Sequence, residues 1–347
     1  MTSSPSGLPT TMLAARYPTS GPDAGTIRLE TVPCPEPGVG EVLVAVVVSG
    51  VNPTDWKSRS GGAIAGGADI PWVIPNQDGA GVIVAVGDGV PADRVGERVW
   101  MWEAQWQRAS GTAAEYIALP STHAVPLPDH AGFDLGAGLG IPAMTAHHCL
   151  FADGRLGSGD QVLVQGGAGA VGHAAIELAV HAGARVAATV SGPEKAALAK
   201  AAGAELVVDY RTEDVAATVR AWAPDGVARI IEVDLARNIE DDAKVIADGG
   251  VIVVYARTFD AVTPPPALMA SNASIAFMLI YKIPQTAKFA ALEGVVAALA
   301  EGALTELPST RFTLADAGSA HDAVEGSVVG KVLIDVAPPT EVPDSQD

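Results

Sequence analysis

A glycine-rich turn between an apolar strand and an Ala-rich helix constrains this chain most strongly. Residues 161–172 read QVLVQGGAGAVG, and Gly167, Gly169 and Gly172 fit the pattern G-x-G-x-x-G in a strand–turn–helix context. Glycine permits a tight turn and lets the backbone approach a pyrophosphate, whose charge the free N–H groups of the helix start can bind. The segment therefore predicts a dinucleotide-binding βαβ unit.

The end of the next strand predicts which dinucleotide binds. The strand ARVAATV ends at Val190, where NAD-binding sites place an acidic residue against the ribose 2′-OH. Here the chain continues with Ser191, and Lys195 follows four residues later. A small hydroxyl and a nearby cation suit a 2′-phosphate, so the sequence predicts an NADPH site.

The pattern of elements divides the 347 residues into about two domains. Short β-rich runs separated by Gly and Pro fill residues 12–140, and strands alternate with Ala-rich helices over residues 141–285. The β-rich texture returns in GKVLIDV, so residues 286–337 are expected to fold back onto the first domain. The prediction is an α/β protein with a doubly wound parallel Rossmann domain, a β-rich domain, and flexible termini at 1–11 and 338–347.

Charge and composition narrow the partners and the compartment. The formal net charge is −19, which opposes nucleic acid and anionic membranes as partners. The apolar runs are of strand length, and the N-terminus shows neither a basic segment nor an apolar core of a signal peptide. The two cysteines, Cys34 and Cys149, form neither a disulfide framework nor a metal cluster, so a cytoplasmic location is expected.

Several segments together resemble one family, and they span residues 12–337. They are GEVLVAVVVSGVNPTDWKSRSG, PNQDGAGVIVAVGDGV, GTAAEYIALP, GIPAMTAHHCL, VLVQGGAGAVGHAA and GKVLID. The chain is similar to the zinc-free NADPH:quinone oxidoreductases of the medium-chain dehydrogenase/reductase superfamily, which include zeta-crystallin. The resemblance implies a GroES-like catalytic domain, NADPH as cofactor, a small quinone or enone as acceptor, and a homodimer.

The zinc ligands of related enzymes are replaced in this chain. Zinc-bearing relatives have a cysteine where GVNPTD has Asn52 and a histidine where NQDGAG has Gln77. Neither amide is a good zinc ligand, and no structural four-cysteine lobe is present in the sequence. We therefore expect no metal.

The resemblance also implies the cofactor contacts. Family members bind the pyrophosphate at the glycine turn, the 2′-phosphate at a clamp of three side chains, and the nicotinamide near a threonine, a strand end and an asparagine. The corresponding residues here are Gly167, Gly169, Ala170, Val171 and Gly172 for the pyrophosphate, Ser191, Lys195 and Tyr210 for the 2′-phosphate, and Asn52, Thr145, Tyr255 and Ala256 for the nicotinamide.

Hydride transfer from NADPH needs no metal when the acceptor is already electron-poor, as a quinone or an enone is. By resemblance, Asn52 is the best-placed polar group and the catalytic candidate, which could orient the nicotinamide or donate to the acceptor oxygen. Asp55 is expected to hold the loop backbone or Asn52 rather than to act as an acid or base. Flat aromatic walls suit a flat acceptor, although each ring could instead pack in a core. The predicted pocket residues are Trp56, Trp102, Trp106 and Tyr281.

Three functions remain open at this point. The leading hypothesis is an NADPH-dependent quinone oxidoreductase. An enone or 2-alkenal double-bond reductase of the same superfamily needs the same cofactor geometry. A non-catalytic NADPH-binding protein is the third, whereas an alcohol dehydrogenase is disfavoured because nothing replaces zinc as the Lewis acid.

Overall fold

The computed structural model describes residues 8–61, 70–256 and 260–336. Its strands are β1 Thr11–Pro18, β2 Arg28–Pro33, β3 Glu41–Val51, β4 Trp72–Val73, β5 Asp78–Val86, β6 Arg98–Met101, β7 Tyr116–Pro120, β8 Ala124–Pro126, β9 Gln161–Val164, β10 Arg185–Val190, β11 Leu206–Asp209, β12 Val227–Glu232, β13 Ile246–Val254, β14 Ser274–Phe277, β15 Ser309–Thr313 and β16 Lys331–Asp335. Its helices are α1 Pro53–Arg59, α2 Phe133–Phe151, α3 Ala170–His181, α4 Pro193–Ala201, α5 Val215–Trp222, α6 Leu235–Val245, α7 Pro266–Ala270, α8 Gln285–Ala300 and α9 Ala317–Glu325.

Residues 142–307 form a compact unit around a parallel sheet. The strand order is β11-β10-β9-β12-β13-β14, and every neighbouring pair is parallel. The order reverses beside β9, so the turn that follows β9 lies at the switch point where such sheets bind ligands. Leu163 and Ile230 from the sheet pack with Val219 and Ile239 from the helices in one buried cluster. The predicted doubly wound domain is confirmed.

Residues 8–61, 70–141 and 308–336 form the described part of the second unit, which is β-rich as predicted. Its larger sheet has the order β15-β16-β3-β5-β6-β8, with β7 also paired to β3, and a smaller sheet has the order β2-β1-β4. Strand β3 is buried along almost its whole length because strands and helices cover it. The C-terminal strand β16 pairs antiparallel with β3, so the chain does fold back as expected.

The boundary between the units differs from the predicted one. Helix α8 and the residues up to 307 belong to the parallel-sheet unit rather than to the β-rich unit. A Cβ atom on Gly294 of α8 would lie 1.8 Å from Nε2 of His147, so this helix packs closely against α2. Beyond α8, the backbone N–H of Thr305 donates to Glu177 of α3 over 3.1 Å. These contacts hold residues 285–307 in the parallel-sheet unit. The sequence did not predict this, because the apolar pattern of a helix does not show which unit it packs on.

The start of the chain also differs from the expected segment. Strand β1 begins at Thr11, and the Cys34 N–H donates to the Thr10 carbonyl over 3.0 Å. Residues 10 and 11, expected to be flexible, therefore take part in backbone pairing; residues 1–7 and 338–347 lie outside the described residues. Within the described part of the chain, no helix has both the length and the apolar character needed to cross a membrane.

Candidate functional site

The glycine-rich turn is built so that side chains cannot replace its glycines. A Cβ atom on Gly167 would lie 2.7 Å from Cβ of Ala188, and one on Gly172 would lie 2.3 Å from the Gly166 carbonyl oxygen. Gly166 itself has φ +73°, a conformation that favours glycine. The turn therefore brings β9, β10 and α3 closer together than any other residue type would permit.

The turn leaves N–H groups available for an anion. Helix α3 begins at Ala170, and its N-cap residue Gly169 has no side chain to accept their hydrogen bonds. The N–H groups of Ala170, Val171 and Gly172 have no partner within the helix, because they precede its first hydrogen-bonded turn. These groups and the helix dipole fit a pyrophosphate, so the residues present suit the expected dinucleotide.

A buried hydrogen-bond chain supports this turn from beneath. The Gly166 N–H donates to Thr189 Oγ1 over 3.2 Å, and that hydroxyl donates to Gln165 Oε1 over 2.6 Å. Gln165 Nε2 then donates to Asp242 Oδ1 over 2.8 Å. Asp242 faces Glu232 as a buried acid pair, and burial together with the Glu232 carboxyl raises the pKa of Asp242 well above its ordinary value.

Sequence reasoning missed this chain of residues. A signal was present, because Gln165, Thr189 and Glu232 are polar residues at or next to the carboxyl ends of strands that are mostly apolar. In a parallel sheet those ends lie at one edge, so polar residues there mark a shared polar layer. Asp242 carried no such signal, since an acid within a helix is most often exposed.

Two of the three predicted 2′-phosphate residues lie on adjacent strand ends. Val190 pairs with Asp209, and the Tyr210 N–H donates to the Val190 carbonyl over 3.1 Å. Ser191 and Tyr210 therefore follow neighbouring strands, and Tyr210 is exposed. Lys195 lies in the first turn of α4 and is half-buried. The placement agrees with a clamp, and its binding role stays a prediction.

The predicted nicotinamide contacts in the parallel-sheet unit differ in how deeply they are buried. Thr145 is buried within α2, whereas Tyr255 and Ala256 follow β13 and are half-buried. The Tyr255 N–H donates to the Glu232 carbonyl over 3.2 Å, which fixes the strand end beside the buried acid pair. Burial raises the pKa of Tyr255 well above its ordinary value, so its phenol stays protonated.

Asn52 lies at the start of α1, where the chain leaves strand β3. Its backbone N–H donates to Asp55 Oδ2 over 2.7 Å, so Asp55 holds the loop as expected. Its side-chain Nδ2 donates to Asp78 Oδ2 over 2.6 Å. Its Oδ1 accepts from Lys331 Nζ over 2.7 Å. Asn52 is therefore the centre of a buried polar cluster made of Asn52, Asp55, Asp78 and Lys331.

The cluster balances its charge internally. Burial raises the pKa of Asp78 to about 6, while the Lys331 ammonium and the Asn52 and Ile141 hydrogen bonds oppose the rise. Burial, reinforced by Asp78, raises the pKa of Asp55 to about 8. The Lys331 ammonium therefore favours the carboxylate form of Asp78, whereas burial favours the protonated form of Asp55. Asp78 and Lys331 were missed from sequence; the only signal was their place in two resemblance segments, NQDGAG and GKVLID.

The residues at the former zinc-ligand positions do not fit a zinc ion. The oxygen of Asn52 already accepts from an ammonium group, whose positive charge repels a second cation. Gln77 is buried and exchanges two hydrogen bonds with Gln105, over 3.0 and 3.2 Å. Over residues 8–61, 70–256 and 260–336, no group of three His, Cys, Asp or Glu side chains could hold a metal.

The four predicted pocket aromatics lie in different surroundings. Trp102 is 0% exposed, stacks on His123 at 4.2 Å between ring centroids, and donates to the Thr122 carbonyl. This burial favours core packing for Trp102. Tyr281 is also buried, whereas Trp56 and Trp106 are half-buried. Acceptor contact stays a prediction for all four.

Comparisons with known proteins define the class. A family profile described as zinc-binding dehydrogenase matches residues 170–297, and one described as alcohol dehydrogenase GroES-like domain matches residues 38–129. With the sheets of the two units described above, these matches define a medium-chain dehydrogenase/reductase, an oxidoreductase that uses a nicotinamide cofactor.

Individual relatives narrow the class. The quinone oxidoreductase of Rattus norvegicus is 30% identical over 90% of this chain and 94% of its own length. The 2-methylene-furan-3-one reductase of Solanum lycopersicum is 33% identical over 76% of this chain and 66% of its own. A mycobacterial protein solved in complex with NADPH superposes with a TM-score of 0.78 at 29% identity, covering 93% of this chain and 99% of its own. The chain therefore belongs to the quinone oxidoreductase family.

Proposed function

We propose that this protein is an NADPH:quinone oxidoreductase that works without zinc. The reaction moves a hydride from C4 of the reduced nicotinamide to a quinone, and one proton completes the hydroquinone while NADP⁺ is released. Bound NADPH supplies the hydride. The observation that carries the proposal is the hydrogen bond that Asn52 Nδ2 donates to Asp78. A primary amide has two N–H hydrogens, so the second one can donate to the carboxamide of the nicotinamide or to the acceptor oxygen.

The choice of NADPH over NADH rests on the residues after β10. Ser191 stands where an acid would repel a 2′-phosphate, and Lys195 and Tyr210 can add an ammonium and a phenol. The global charge of −19 cannot attract this anion, so local donors must bind it. That a relative was solved with NADPH supports the same cofactor.

Independence from zinc rests on the Lys331 ammonium beside Asn52. In a zinc enzyme the metal stabilises the developing oxyanion as a Lewis acid. A quinone is electron-poor and accepts a hydride readily, so a hydrogen-bond donor such as the Asn52 amide can suffice to stabilise the developing oxyanion.

An enone or 2-alkenal reductase is the second candidate function. The observation that favours it is the similarity to the 2-methylene-furan-3-one reductase of Solanum lycopersicum, whose name gives an enone as its substrate. Both reactions deliver a hydride to a conjugated carbonyl system and need the same cofactor residues. A non-catalytic NADPH-binding protein is the third possibility that the experiment below addresses.

We also propose a cytoplasmic homodimer that takes a small-molecule acceptor and binds neither nucleic acid nor membranes. Strand β14 pairs only with β13 in the described sheet, and Phe277 at its end is 72% exposed. An exposed strand edge with a large apolar side chain favours pairing with a second copy. Sedimentation of the wild type and of Phe277→Lys tests this, because only the variant should be monomeric. Two free cysteines suit a reducing compartment.

The deciding experiment measures NADPH oxidation with 1,4-benzoquinone, a naphthoquinone and a 2-alkenal. Turnover of the quinones above the 2-alkenal supports the proposal, and the reverse order supports the enone reductase. NADPH binding without turnover of any acceptor identifies a binding protein. Asn52→Ala should lower kcat for the preferred acceptor while NADPH still binds at the glycine turn.

A further inference from the structure

Lys331 is a buried lysine whose ammonium contacts one side chain and one carbonyl. It is 5% exposed, and its Nζ donates to the Val51 carbonyl over 3.2 Å and to Asn52 Oδ1 over 2.7 Å. Gly50 lies beside its stem, where an added Cβ atom would be 3.3 Å from Cε of Lys331. The absence of a side chain at Gly50 therefore leaves room for the Lys331 side chain to reach Asn52.

The partners of the Asn52 amide determine which way it points. An ammonium can only donate, so the atom that faces Lys331 must be the amide oxygen. An ionised carboxylate can only accept, so the atom that faces Asp78 must be the amide nitrogen. Asp78 is held in turn, because its Oδ1 accepts from the Ile141 N–H over 2.9 Å. Both ends of the amide are thus specified, and a 180° flip would lose both bonds.

We propose that Lys331 is a positioning residue that acts through Asn52, by orienting and polarising its amide so that the remaining N–H serves as the hydrogen-bond donor of the active site. The role of that donor rests on the proposed function; the orientation itself does not. Lys331 needs no contact with the cofactor or the acceptor, because its effect passes through the amide oxygen. An ammonium at that oxygen draws electron density from the nitrogen, which strengthens the N–H as a donor to a developing oxyanion.

Lys331 also keeps the cluster electrically balanced. Burial lowers the pKa of Lys331, and the charges of Asp78 and Asp55 oppose that change. The ammonium form lets Asp78 remain a carboxylate, which is the form that accepts from Asn52. Removing Lys331 thus removes its hydrogen bond to Asn52 Oδ1 directly. It also makes the carboxylate form of Asp78 less favourable, which weakens the hydrogen bond from Asn52 Nδ2 to Asp78.

The kinetic test is a cycle of Lys331→Met, Asn52→Ala and the double variant. Lys331→Met should lower kcat with the preferred acceptor about 10- to 100-fold, the range expected for losing a hydrogen bond to a charged group. In the Asn52→Ala background the same change should have almost no further effect, because the amide through which it acts is absent. A loss that is equally large in both backgrounds would show general structural damage and overturn the proposal.

A second test reads the amide without any turnover. The side-chain NH₂ resonances of Asn52, assigned by their loss in Asn52→Ala, should be shifted from random-coil positions and exchange slowly in the wild type. Lys331→Met should move or broaden them. Lys288→Met is the matched control: Lys288 is also 5% exposed and donates to the Tyr281 carbonyl, in the other unit of the chain. This control should leave the Asn52 resonances unchanged.

The two tests separate this proposal from the proposed function. If no acceptor is turned over but the resonances respond to Lys331→Met alone, the reductase function fails and the orientation stands. If Asn52→Ala turns over acceptors at the wild-type rate, Lys331 has no effect to transmit and the proposal falls. Should Lys331→Met fail to fold, Lys331→Gln replaces it. The neutral Gln amide can both donate and accept, so it no longer dictates the orientation of the Asn52 amide. Unchanged resonances and unchanged kcat in Lys331→Gln also overturn the proposal.

Discussion

Gln165 Nε2 donates a 2.8 Å hydrogen bond to Oδ1 of Asp242, a residue 77 positions further along the chain. Gln165 is the last residue before the glycine turn, and Asp242 lies in helix α6. The bond connects the glycine-rich turn to the buried acid pair of Asp242 and Glu232. The turn is therefore held from within the core as well as by the close packing of its glycines.

This connection predicts that Thr189 controls the strength of the cofactor site. Thr189→Val keeps the shape but removes the hydroxyl that accepts from Gly166 and donates to Gln165. Leaving these buried groups without a partner should lower the free energy of unfolding by about 1–3 kcal/mol and weaken NADPH binding. Urea denaturation and fluorescence titration measure the two effects. Thr189→Ser retains the hydroxyl and should behave like the wild type; equal losses in both variants would contradict the prediction.

Cofactor choice should depend on Lys195 and Ser191. We expect NADPH to bind better than NADH by about 1–3 kcal/mol, the scale of one or two charge-assisted hydrogen bonds. Lys195→Ala should narrow this gap while leaving NADH binding nearly unchanged. Ser191→Asp should reverse the preference, because its carboxylate repels a 2′-phosphate and accepts from a ribose hydroxyl. Equal affinities of the wild type for both cofactors, measured by titration, would refute the proposed clamp.

Removal of metal should leave activity intact. Asn52 is engaged by Lys331, and Gln77 by Gln105, so neither is available as a zinc ligand. We expect prolonged chelation to have no effect on turnover, and elemental analysis to find less zinc than protein. Stoichiometric zinc whose removal abolishes turnover, and whose return restores it, is the contrary result.

Acid should destabilise the β-rich unit through His321. This side chain is 0% exposed, its Nε2 bonds Asn76 Oδ1 at 2.9 Å, and burial lowers its pKa to about 3, aided by Arg59 and opposed by Asp322. Between about pH 6.5 and that value the unfolded chain binds the proton and the folded protein does not. Stability is therefore lost as the pH falls through this window, by up to about 1.4 kcal/mol per pH unit.

The matched variant for this pH effect is His321→Gln, which keeps an N–H for Asn76 and cannot titrate. Urea denaturation at pH 7 and pH 5 should show a loss for the wild type that exceeds the loss for His321→Gln by about 2 kcal/mol. Parallel losses in the two proteins would assign the acid sensitivity to other groups.

Substitution of Trp106 should affect the acceptor kinetics, whereas substitution of Trp102 should affect mainly stability. Trp106→Ala and Tyr281→Ala should lower kcat/KM for a naphthoquinone more than they weaken NADPH binding, since stacking contributes about 0.5–1.5 kcal/mol and misplacement raises the barrier further. Trp102→Ala serves as the packing control. It should lower stability by about 3–5 kcal/mol, because the ring is fully buried. If Trp106→Ala and Tyr281→Ala reduce stability and NADPH affinity while acceptor kinetics stay normal, these rings are packing elements.

The sequence by itself determined the features that depend on neighbouring residues. The glycine turn, the alternation of strands and helices over residues 161–254, and the β-rich texture of the first part follow from local spacing. The expectation that zinc is absent came from the resemblance, which places Asn52 and Gln77, two amides that are poor zinc ligands, at the ligand positions of related enzymes. The packing of helix α8 was not readable, since a repeating apolar pattern does not identify its partner.

Only the tertiary structure decided how distant polar residues combine. Lys331 bonds Asn52 across 279 positions, and Gln165 bonds Asp242 across 77, and neither spacing carries a local pattern. Viewed in the sequence, Lys331 and Asp242 are ordinary charged residues of the kind that usually lie in water. Folding buries them, and a buried charge or carboxyl is tolerated only where partners converge on it. The physical reason is that a polar residue acquires such partners only when folding buries it beside them, and no single segment of the sequence specifies which residues are buried together.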